Sequence, residues 1–367
     1  METADRLSAS VMASASAAFD LLKPTASIIT VNTNEKHRML LYMPSVWAAR
    51  GNFEVIIADN SSIDGSVEWV RENFPQTRVI DNGGNLGFAG GNNNGARHAR
   101  ADILVFLNPD TTVEPDWLEE LLKPFGDLTV GCATSKILLM REPQKLNTCG
   151  NDVHISGLTM CRGMGQPRWL FPNTEEVAAV SGAAFAIRRE IFDQMGGFNE
   201  SLFIYLEETA LSLETWLRGW RCVYTPASVV HHDYALRFGL RKTLFQERNR
   251  YLMLLQLYRW PTLLLLVPTL LLAEVVTWGF VITRDRKNWT NKFKAYAGVF
   301  KNWGAMRAKR ALNQSQRKVK DRVLLERTTH ALDFGQVEQG GLSPLAASVF
   351  NPLFWLLRTL TLFLVRW

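Results

Sequence analysis

The sequence has few cysteines, and their spacing indicates no disulfide or metal framework. Four occur in 367 residues, and none forms a C-x-x-C pair: Cys132, Cys149, Cys161 and Cys222. This usage is typical of ordinary buried thiols in a reducing compartment. The N-terminal stretch METADRLSASVMASASAAFDLL also lacks the basic start and the apolar core of a secretory signal. We therefore expect the main domain to lie in the cytosol.

Two common nucleotide-binding signatures are also absent. No G-x-x-x-x-G-K-[ST] sequence occurs, which excludes a P-loop. No G-x-G-x-x-G follows the first predicted strand, which argues against a dinucleotide-dependent oxidoreductase.

The length and the charge distribution predict two regions. A single core rarely exceeds about 250 residues, so a chain of 367 carries an additional segment. The net charge is +6, but residues 284–322 hold thirteen lysines and arginines against two aspartates. Aromatic residues and long apolar stretches accompany this basic segment, so the sequence favours an anionic membrane surface as its partner and not a nucleic acid.

The first part of the chain alternates short apolar strands with helical segments, which predicts an α/β domain with a doubly wound, mostly parallel sheet. Strands are predicted at 26–31, 53–58, 78–80 and 103–107, with a polar loop at 81–94. Each strand ends on polar residues. We therefore expect Asn32, Asp59 and Asp110 to lie at one edge of the sheet, where ligands bind in such folds. On position alone, Asp110 is either a ligand-facing acid or a turn residue.

Residues 82–95 contain six glycines and five asparagines. Such a segment lets backbone amides approach a phosphate or a nucleotide closely, although a flexible surface loop has the same composition.

Four stretches, in order, resemble the motifs of the family 2 inverting glycosyltransferases with the GT-A fold. They are IITVNTN at 28–34, DNSSIDGS at 59–66, NLGFAGGN at 85–92 and LNPD at 107–110. The Asn-Pro-Asp form resembles the rhamnosyltransferase-like branch. The resemblance extends to about residue 250. It implies a GT-A domain at 25–250. Composition and charge predict a weakly ordered lead at 1–24 and a helical membrane-associated region at 251–367.

The resemblance also implies roles for individual residues. The implied nucleotide-sugar-binding residues are Asn32, Asn34, Asp59, Ser61, Asn85, Gly87, Phe88, Gly90, Asn92 and Asn108. Asp59 would contact the nucleoside, and Asp110 would hold a divalent metal, Mn or Mg, against the donor's diphosphate. Asn108 replaces the first acid of the usual D-x-D motif. His231 and His232 are further candidate metal ligands, although a histidine beside an apolar run also fits a core position.

The resemblance implies that Glu208, with Glu207 beside it, is the catalytic base. Family members typically have Glu-Asp followed two residues later by another Asp, whereas this chain reads Glu-Glu-Thr-Ala and has Ala210 at the later position. The alternative is that the two glutamates cap a helix predicted at 209–217, since acids favour a first helical turn.

The apolar run at 261–283 is long enough to span a bilayer but contains Pro268 and Glu274 and has basic residues on both sides. This charge placement favours an in-plane or re-entrant hairpin, with the run at 350–365 as a second anchor. Packing as soluble core is the alternative.

Together these features predict an inverting, metal-assisted glycosyltransferase at the cytoplasmic face of the inner membrane. It would move a sugar, with rhamnose favoured, from a nucleotide sugar to a lipid-linked or polysaccharide acceptor in cell-envelope glycan synthesis. Two alternatives stay open. One is a non-catalytic membrane-bound scaffold, and the other is a nucleotide-sugar nucleotidyltransferase, which normally carries a basic, glycine-rich signature where this chain reads NTNE at 32–35.

Overall fold

The computed structural model describes residues 23–234, 242–336 and 343–367. The strands are β1 (Ala26–Asn32), β2 (Phe53–Asp59), β3 (Arg78–Asp81), β4 (Ile103–Leu107), β5 (Thr111–Val113), β6 (Val130–Leu139), β7 (Glu142–Thr148), β8 (Asn151–Val153), β9 (Thr159–Cys161), β10 (Glu175–Glu176), β11 (Ala184–Arg188) and β12 (Arg221–His232). The helices are α1 (Lys36–Trp47), α2 (Ser66–Asn73), α3 (Gly87–His98), α4 (Trp117–Leu122), α5 (Arg189–Gln194), α6 (Glu207–Leu217), α7 (Lys242–Leu257), α8 (Trp260–Arg284), α9 (Thr290–Lys301), α10 (Trp303–Ser315), α11 (Asp321–Glu326) and α12 (Ser343–Leu364).

A ten-stranded mixed sheet organises the described residues before α7. Its order is β10-β12-β6-β11-β4-β1-β2-β3, with β5 added to β12 and β7 added to β6. The block β3-β2-β1-β4 is parallel, as the strand and helix alternation predicts. Strand β11 runs antiparallel between β4 and β6, so the sheet changes direction beside the strand that leads to Asp110.

Two hydrophobic cores lie on opposite faces of this sheet. Successive residues of β1 divide between them, because side chains alternate across a strand: Ile28 packs in one core and Ile29 in the other. Helices α1 and α4 cover the first face, and α3, α6 and α7 cover the second. Both faces of the parallel block are therefore dry, which explains its continuous apolar strands.

The prediction of a polar loop at 81–94 is wrong for its second half, because helix α3 already begins at Gly87. Close packing against the sheet stabilises this glycine-rich and asparagine-rich helix. A Cβ on Gly95 would lie 2.5 Å from Ile29, and a Cβ on Gly91 would lie 2.9 Å from Val31. Low helix propensity is thus outweighed by tertiary contact, which composition alone does not reveal.

The C-terminal helices differ in one respect from the predicted hairpin, since the run at 261–283 forms the single continuous helix α8. Helices α8 and α12 are both long and apolar enough to cross a membrane, and less than a quarter of the apolar window of either helix is buried. Glu274 of α8 turns toward the protein, where it binds Arg250 of α7 and Lys292 of α9 at 2.7 and 2.8 Å. The acid within the apolar run is therefore paired by charge.

Candidate active site

The carboxyl ends of β1 and β2 form a polar network at one edge of the sheet. Asn32 pairs in register with Asp59, and its Nδ2 donates to Oδ1 of Asp59 at 2.7 Å. The backbone amide of Ser62 donates to the other carboxylate oxygen at 2.8 Å. These bonds fix the Asp59 carboxylate at the strand end, and they account for both predicted residues. The side chain of Asn34 accepts from the Ile63 amide at 2.8 Å and ties the two loops together.

Asn60 links this network to the start of α3, and sequence reasoning did not single it out. Its Nδ2 donates to the Gly87 carbonyl at 3.3 Å, and its Oδ1 accepts from Asn82 at 2.9 Å and from the Leu86 amide at 3.2 Å. It follows Asp59 directly in a motif already recognised, so its position next to a strand-end acid is the signal that could have found it.

The predicted donor residues of α3 have different environments. Asn85 precedes the helix, and its Oδ1 accepts from the Gly87 amide at 2.9 Å. Phe88 lines the large cavity described below. Asn92 instead donates to the Phe88 carbonyl within the helix, and Gly90 packs against Leu86. Ser61 adopts a left-handed backbone (φ 60°) in the turn after β2.

Asp110 lies between a guanidinium group and an imidazole ring beyond the end of β4. Nη1 of Arg38 is 4.0 Å from Oδ2, and Nε2 of His232 is 3.2 Å from Oδ1. The second contact has the distance of an ion pair without the alignment of a hydrogen bond, so Oδ1 has no hydrogen-bond partner although it is buried. Burial raises the pKa of Asp110, but His232 and Arg38 together lower it more, so it stays below its usual value.

The two adjacent histidines point to opposite faces of β12. His232 faces Asp110, and its Nδ1 lies 2.8 Å from Oδ1 of Asn147, which fixes the ring. His231 instead lies 3.3 Å from Glu114, and the structure does not bring it to Asp110. Asn147 is a residue that the sequence analysis did not identify, because its role depends on the pairing of β6 with β7 and β12.

Asp110 and His232 fit a divalent cation as a partial ligand set. Within residues 23–234, 242–336 and 343–367, no three histidine, cysteine or acidic side chains are grouped to hold a metal by themselves. The buried, unpartnered Oδ1 beside an imidazole is nevertheless a donor pair that Mn²⁺ or Mg²⁺ accepts. Mg²⁺ commonly takes one or two carboxylates and completes its shell with waters and substrate phosphates.

Glu207 and Glu208 occupy the first turn of α6, where their environments differ. Glu207 is 4% exposed and its Oε2 has no hydrogen-bond partner. Glu208 is half-buried and lines the cavity, where Oε1 accepts from Asn151 at 3.3 Å. Burial raises the pKa of both carboxyls, and the Glu208 charge raises that of Glu207 further. Gly182 leaves room for Glu208, since a Cβ there would approach its Cγ to 3.3 Å.

The loop before α6 is strained and firmly held. Phe203, Tyr205 and Leu206 all have positive φ angles between 64° and 71°, a conformation that costs on the order of 1–3 kcal/mol per residue. The Asn249 side chain of α7 lies 2.7 to 2.9 Å from the carbonyls of residues 202, 204 and 205. The Phe203 carbonyl in turn accepts from the first amides of α3 at 2.9 and 3.2 Å.

A cavity of about 750 Å³ joins these elements. Asn108, His232 and Glu208 line one part of it, and residues of α8 and α12 line another. A carboxylate with a raised pKa, an imidazole and an amide therefore face one space that is large enough for a saccharide.

Comparisons with known proteins agree with this architecture. Residues 27–196 match the family model described as Glycosyl transferase family 2. This part of the chain is a family 2 glycosyltransferase domain with the GT-A fold, which confirms the predicted family and fold.

One relative is the N-acetylglucosaminyl-diphospho-decaprenol L-rhamnosyltransferase of Mycobacterium tuberculosis H37Rv. The identity is 29% over 210 residues, which cover 48% of this chain and 66% of that protein. The chain spans between 15% and 66% of the length of several bacterial relatives that it matches.

Two solved structures share the fold at low sequence identity. S. aureus TarS 1–349 has a TM-score of 0.53 at 13% identity, over 83% of this chain and 90% of that chain. GalNAc-T7, solved with UDP, GalNAc and Mn²⁺, has a TM-score of 0.52 at 20% identity, over 65% and 49% of the two chains.

Proposed function

We propose that the chain is an inverting glycosyltransferase that transfers a sugar, with rhamnose favoured, from a nucleotide sugar to a hydroxyl group of a lipid-linked or polysaccharide acceptor. The observation that carries the proposal is the placement of Glu208, a carboxyl with a raised pKa that faces a cavity shared with Asn108 and His232. The family 2 domain supports glycosyl transfer, and the relative named as a rhamnosyltransferase supports the sugar.

In the proposed reaction Glu208 accepts the proton of the acceptor hydroxyl. The hydroxyl oxygen then forms a bond to the anomeric carbon as the bond from that carbon to the diphosphate breaks, and the nucleoside diphosphate leaves. Asn151 orients the Glu208 carboxylate, and Asp59 with Asn60 positions the nucleoside end of the donor. A single displacement of this kind inverts the anomeric centre.

Asp110 and His232 would hold a divalent cation, Mn or Mg, at the diphosphate. When bound, such an ion neutralises the charge that develops on the leaving group. The GalNAc-T7 structure, which holds UDP with Mn²⁺, supports this assignment by analogy of fold.

We propose further that residues 25–250 carry the catalysis and residues 251–367 hold the enzyme at the cytoplasmic face of the inner membrane, after a lead at 1–24 of which residues 1–22 lie outside the described residues. The exposed apolar faces of α8 and α12 and the basic residues on both sides of α8 support this arrangement. An acceptor in cell-envelope glycan synthesis fits such a location.

Release of nucleoside diphosphate from a panel of nucleotide sugars, with Mn²⁺ or Mg²⁺ and membranes that contain lipid-linked saccharides, tests the proposal. We expect release from one donor, loss of release in Asp110→Ala, and a rate lowered by about 10²- to 10⁴-fold in Glu208→Gln. Nucleotide binding without release from any donor would instead favour the scaffold.

The adjacent histidines provide a matched pair for the metal assignment. His232→Gln should raise the Mn²⁺ concentration for half-maximal activity by about 10- to 100-fold, a range typical of groups at a metal site. His231→Gln should leave it unchanged, because His231 contacts Glu114. Mn²⁺ titration followed by electron paramagnetic resonance measures the same difference without turnover. Equal effects of the two variants would refute the assignment.

A further inference from the structure

The cavity at Glu208 continues into an apolar compartment. Val276 and Phe280 of α8 line it from one side, and Ala346 and Phe350 of α12 line it from another. Leu158 and Phe334 close the space between them. Apolar side chains form most of this wall, and its polar lining residues are Thr277, Thr283, Asp333 and Gln336. A nucleotide or a free saccharide requires a denser set of polar partners.

In the proposed reaction the nucleoside end of the donor would lie outside this cavity. Asn32, Asp59 and Asn60 form the polar network at the sheet edge, and none of these three side chains lines the cavity. Asn108, Phe88 and His232 do line it, so the transferred sugar would enter there. The remainder of the cavity of about 750 Å³ would then be left for the acceptor.

The apolar compartment opens on the exposed face of α8. Val275 lines the cavity and is also 59% exposed, so it marks the mouth. Around it, α8 and α12 expose further large apolar side chains: Leu264, Leu271, Ile282, Leu345, Val349 and Leu353. A ligand that left the cavity here would pass directly onto an apolar surface.

Residues 330–336 and 343–354, which form one wall of the compartment, are held by contacts with residues 154–161. Gln336 accepts from the Cys161 amide at 3.0 Å and donates to the Cys161 carbonyl at 2.8 Å. His154 is fully buried, lies 3.1 Å from the His330 carbonyl and packs edge-on against Phe354 of α12. The compartment is therefore built into the fold.

We infer that this compartment binds the long apolar chain of a lipid-linked acceptor, with the sugar at Glu208 and the chain running between α8 and α12 to the membrane. The inference rests on the proposed transferase function and selects a lipid-linked acceptor over a free polysaccharide. The match is one of shape and polarity, because a single cavity presents acids and amides at one end and aliphatic and aromatic carbon at the other.

Gly279 allows a direct test, because it lines the cavity and a Cβ there would meet nothing within 4 Å. We expect Gly279→Trp to obstruct the compartment from the α8 side and Ala346→Trp to obstruct it from the α12 side. The control is Ile282→Trp, on the same helix, which is 58% exposed and is not among the lining residues. The acceptors are one sugar linked through diphosphate to a polyprenyl chain and the same sugar on a short, water-soluble alkyl group.

For both filling variants we expect the KM for the polyprenyl acceptor to rise at least tenfold, with the KM values for the short acceptor and the donor unchanged. Ile282→Trp should alter none of them. Unchanged kinetics in the filling variants, or equal losses with both acceptors, would overturn the inference while leaving the transferase function standing.

Binding of polyprenyl diphosphate to the full chain in detergent, measured without any donor, separates the inference from the proposed function. Loss of binding in Gly279→Trp and retention in Ile282→Trp would support the compartment even if no donor were turned over. Equal binding by the two variants would refute it.

Discussion

The adjacent carboxyls of Glu207 and Glu208 begin one helix and both line the cavity, but Glu207 is buried and Glu208 is half-buried. A base must be deprotonated to work, and burial raises the pKa of this pair. Activity should therefore rise with pH through the apparent pKa of the pair.

Glu207→Gln tests which of the two carboxyls sets this limb. Burial and the charge of Glu208 raise the pKa of Glu207 to about 8, so Glu207 is still neutral where Glu208 ionises. Replacing Glu207 by the neutral Gln should therefore leave the rising limb of kcat/KM against pH in place, as should the exposed control Glu142→Gln. A limb that moves in Glu207→Gln but not in Glu142→Gln would contradict this account.

At the scale of single residues, the sequence identified site residues that belong to recognisable motifs. It missed site residues that only the tertiary structure brings to the site. Asn32 and Asp59 follow apolar strands, and the structure places them in contact. Asn147 and Asn249 act through side chains that arrive from distant segments, so nothing in their local sequence marks them. His231 and His232 could not be separated until the register of β12 gave each a face.

At the scale of elements, a buried ionic cluster connects helices α7, α8 and α9. Lys292 of α9 is fully buried and binds Glu247 of α7 and Glu274 of α8 at 2.8 Å each, and Arg250 binds the same two carboxylates at 2.7 Å. Two cations thus compensate two anions inside the helical layer.

Lys292→Met leaves these carboxylates with one cation, which should destabilise the fold by about 3–5 kcal/mol. Lys294→Met, two residues away on the exposed face of α9, should change stability by less than about 0.5 kcal/mol. Denaturant unfolding followed by circular dichroism compares the two. A similar midpoint for both variants would mean that the cluster contributes little.

Helices and strands were predicted correctly where the hydrophobic pattern of the sequence determines them. The prediction failed where packing against other elements determines them. The strands β1, β2 and β4 follow from their apolar runs. Helix α3 does not, since its glycines favour a loop until Ile29 and Val31 are placed against them. The prediction of a hairpin at 261–283 was wrong. Arg250 and Lys292 of neighbouring helices neutralise the Glu274 carboxylate, so the charge does not interrupt helix α8.

At the scale of the whole molecule, exposed apolar and aromatic side chains of the C-terminal helices occur together with a basic segment. This combination predicts binding to vesicles that contain anionic phospholipid, with weaker binding as salt rises. Neutral vesicles should bind less of the protein.

Lys294 and Lys301, both exposed on α9, should each contribute about 1 kcal/mol to this binding. Their joint substitution by Gln should lower the partition coefficient roughly thirtyfold, as measured by vesicle flotation. Lys123 and Lys145 are exposed outside the C-terminal helices, and their joint substitution by Gln changes the net charge by the same amount as the first double substitution. A similar loss in both double variants would attribute binding to overall charge and not to the helical region.

The strained loop before α6 has a kinetic consequence. Its Phe203 carbonyl caps the helix that begins the predicted donor site, and its last residue precedes the glutamate pair. A donor that settles against α3 therefore acts on the same short segment that aims Glu208. Because one segment contacts both, we expect donor binding to lower the KM for the acceptor and acceptor binding to lower the KM for the donor, and initial rates with both substrates varied measure this coupling.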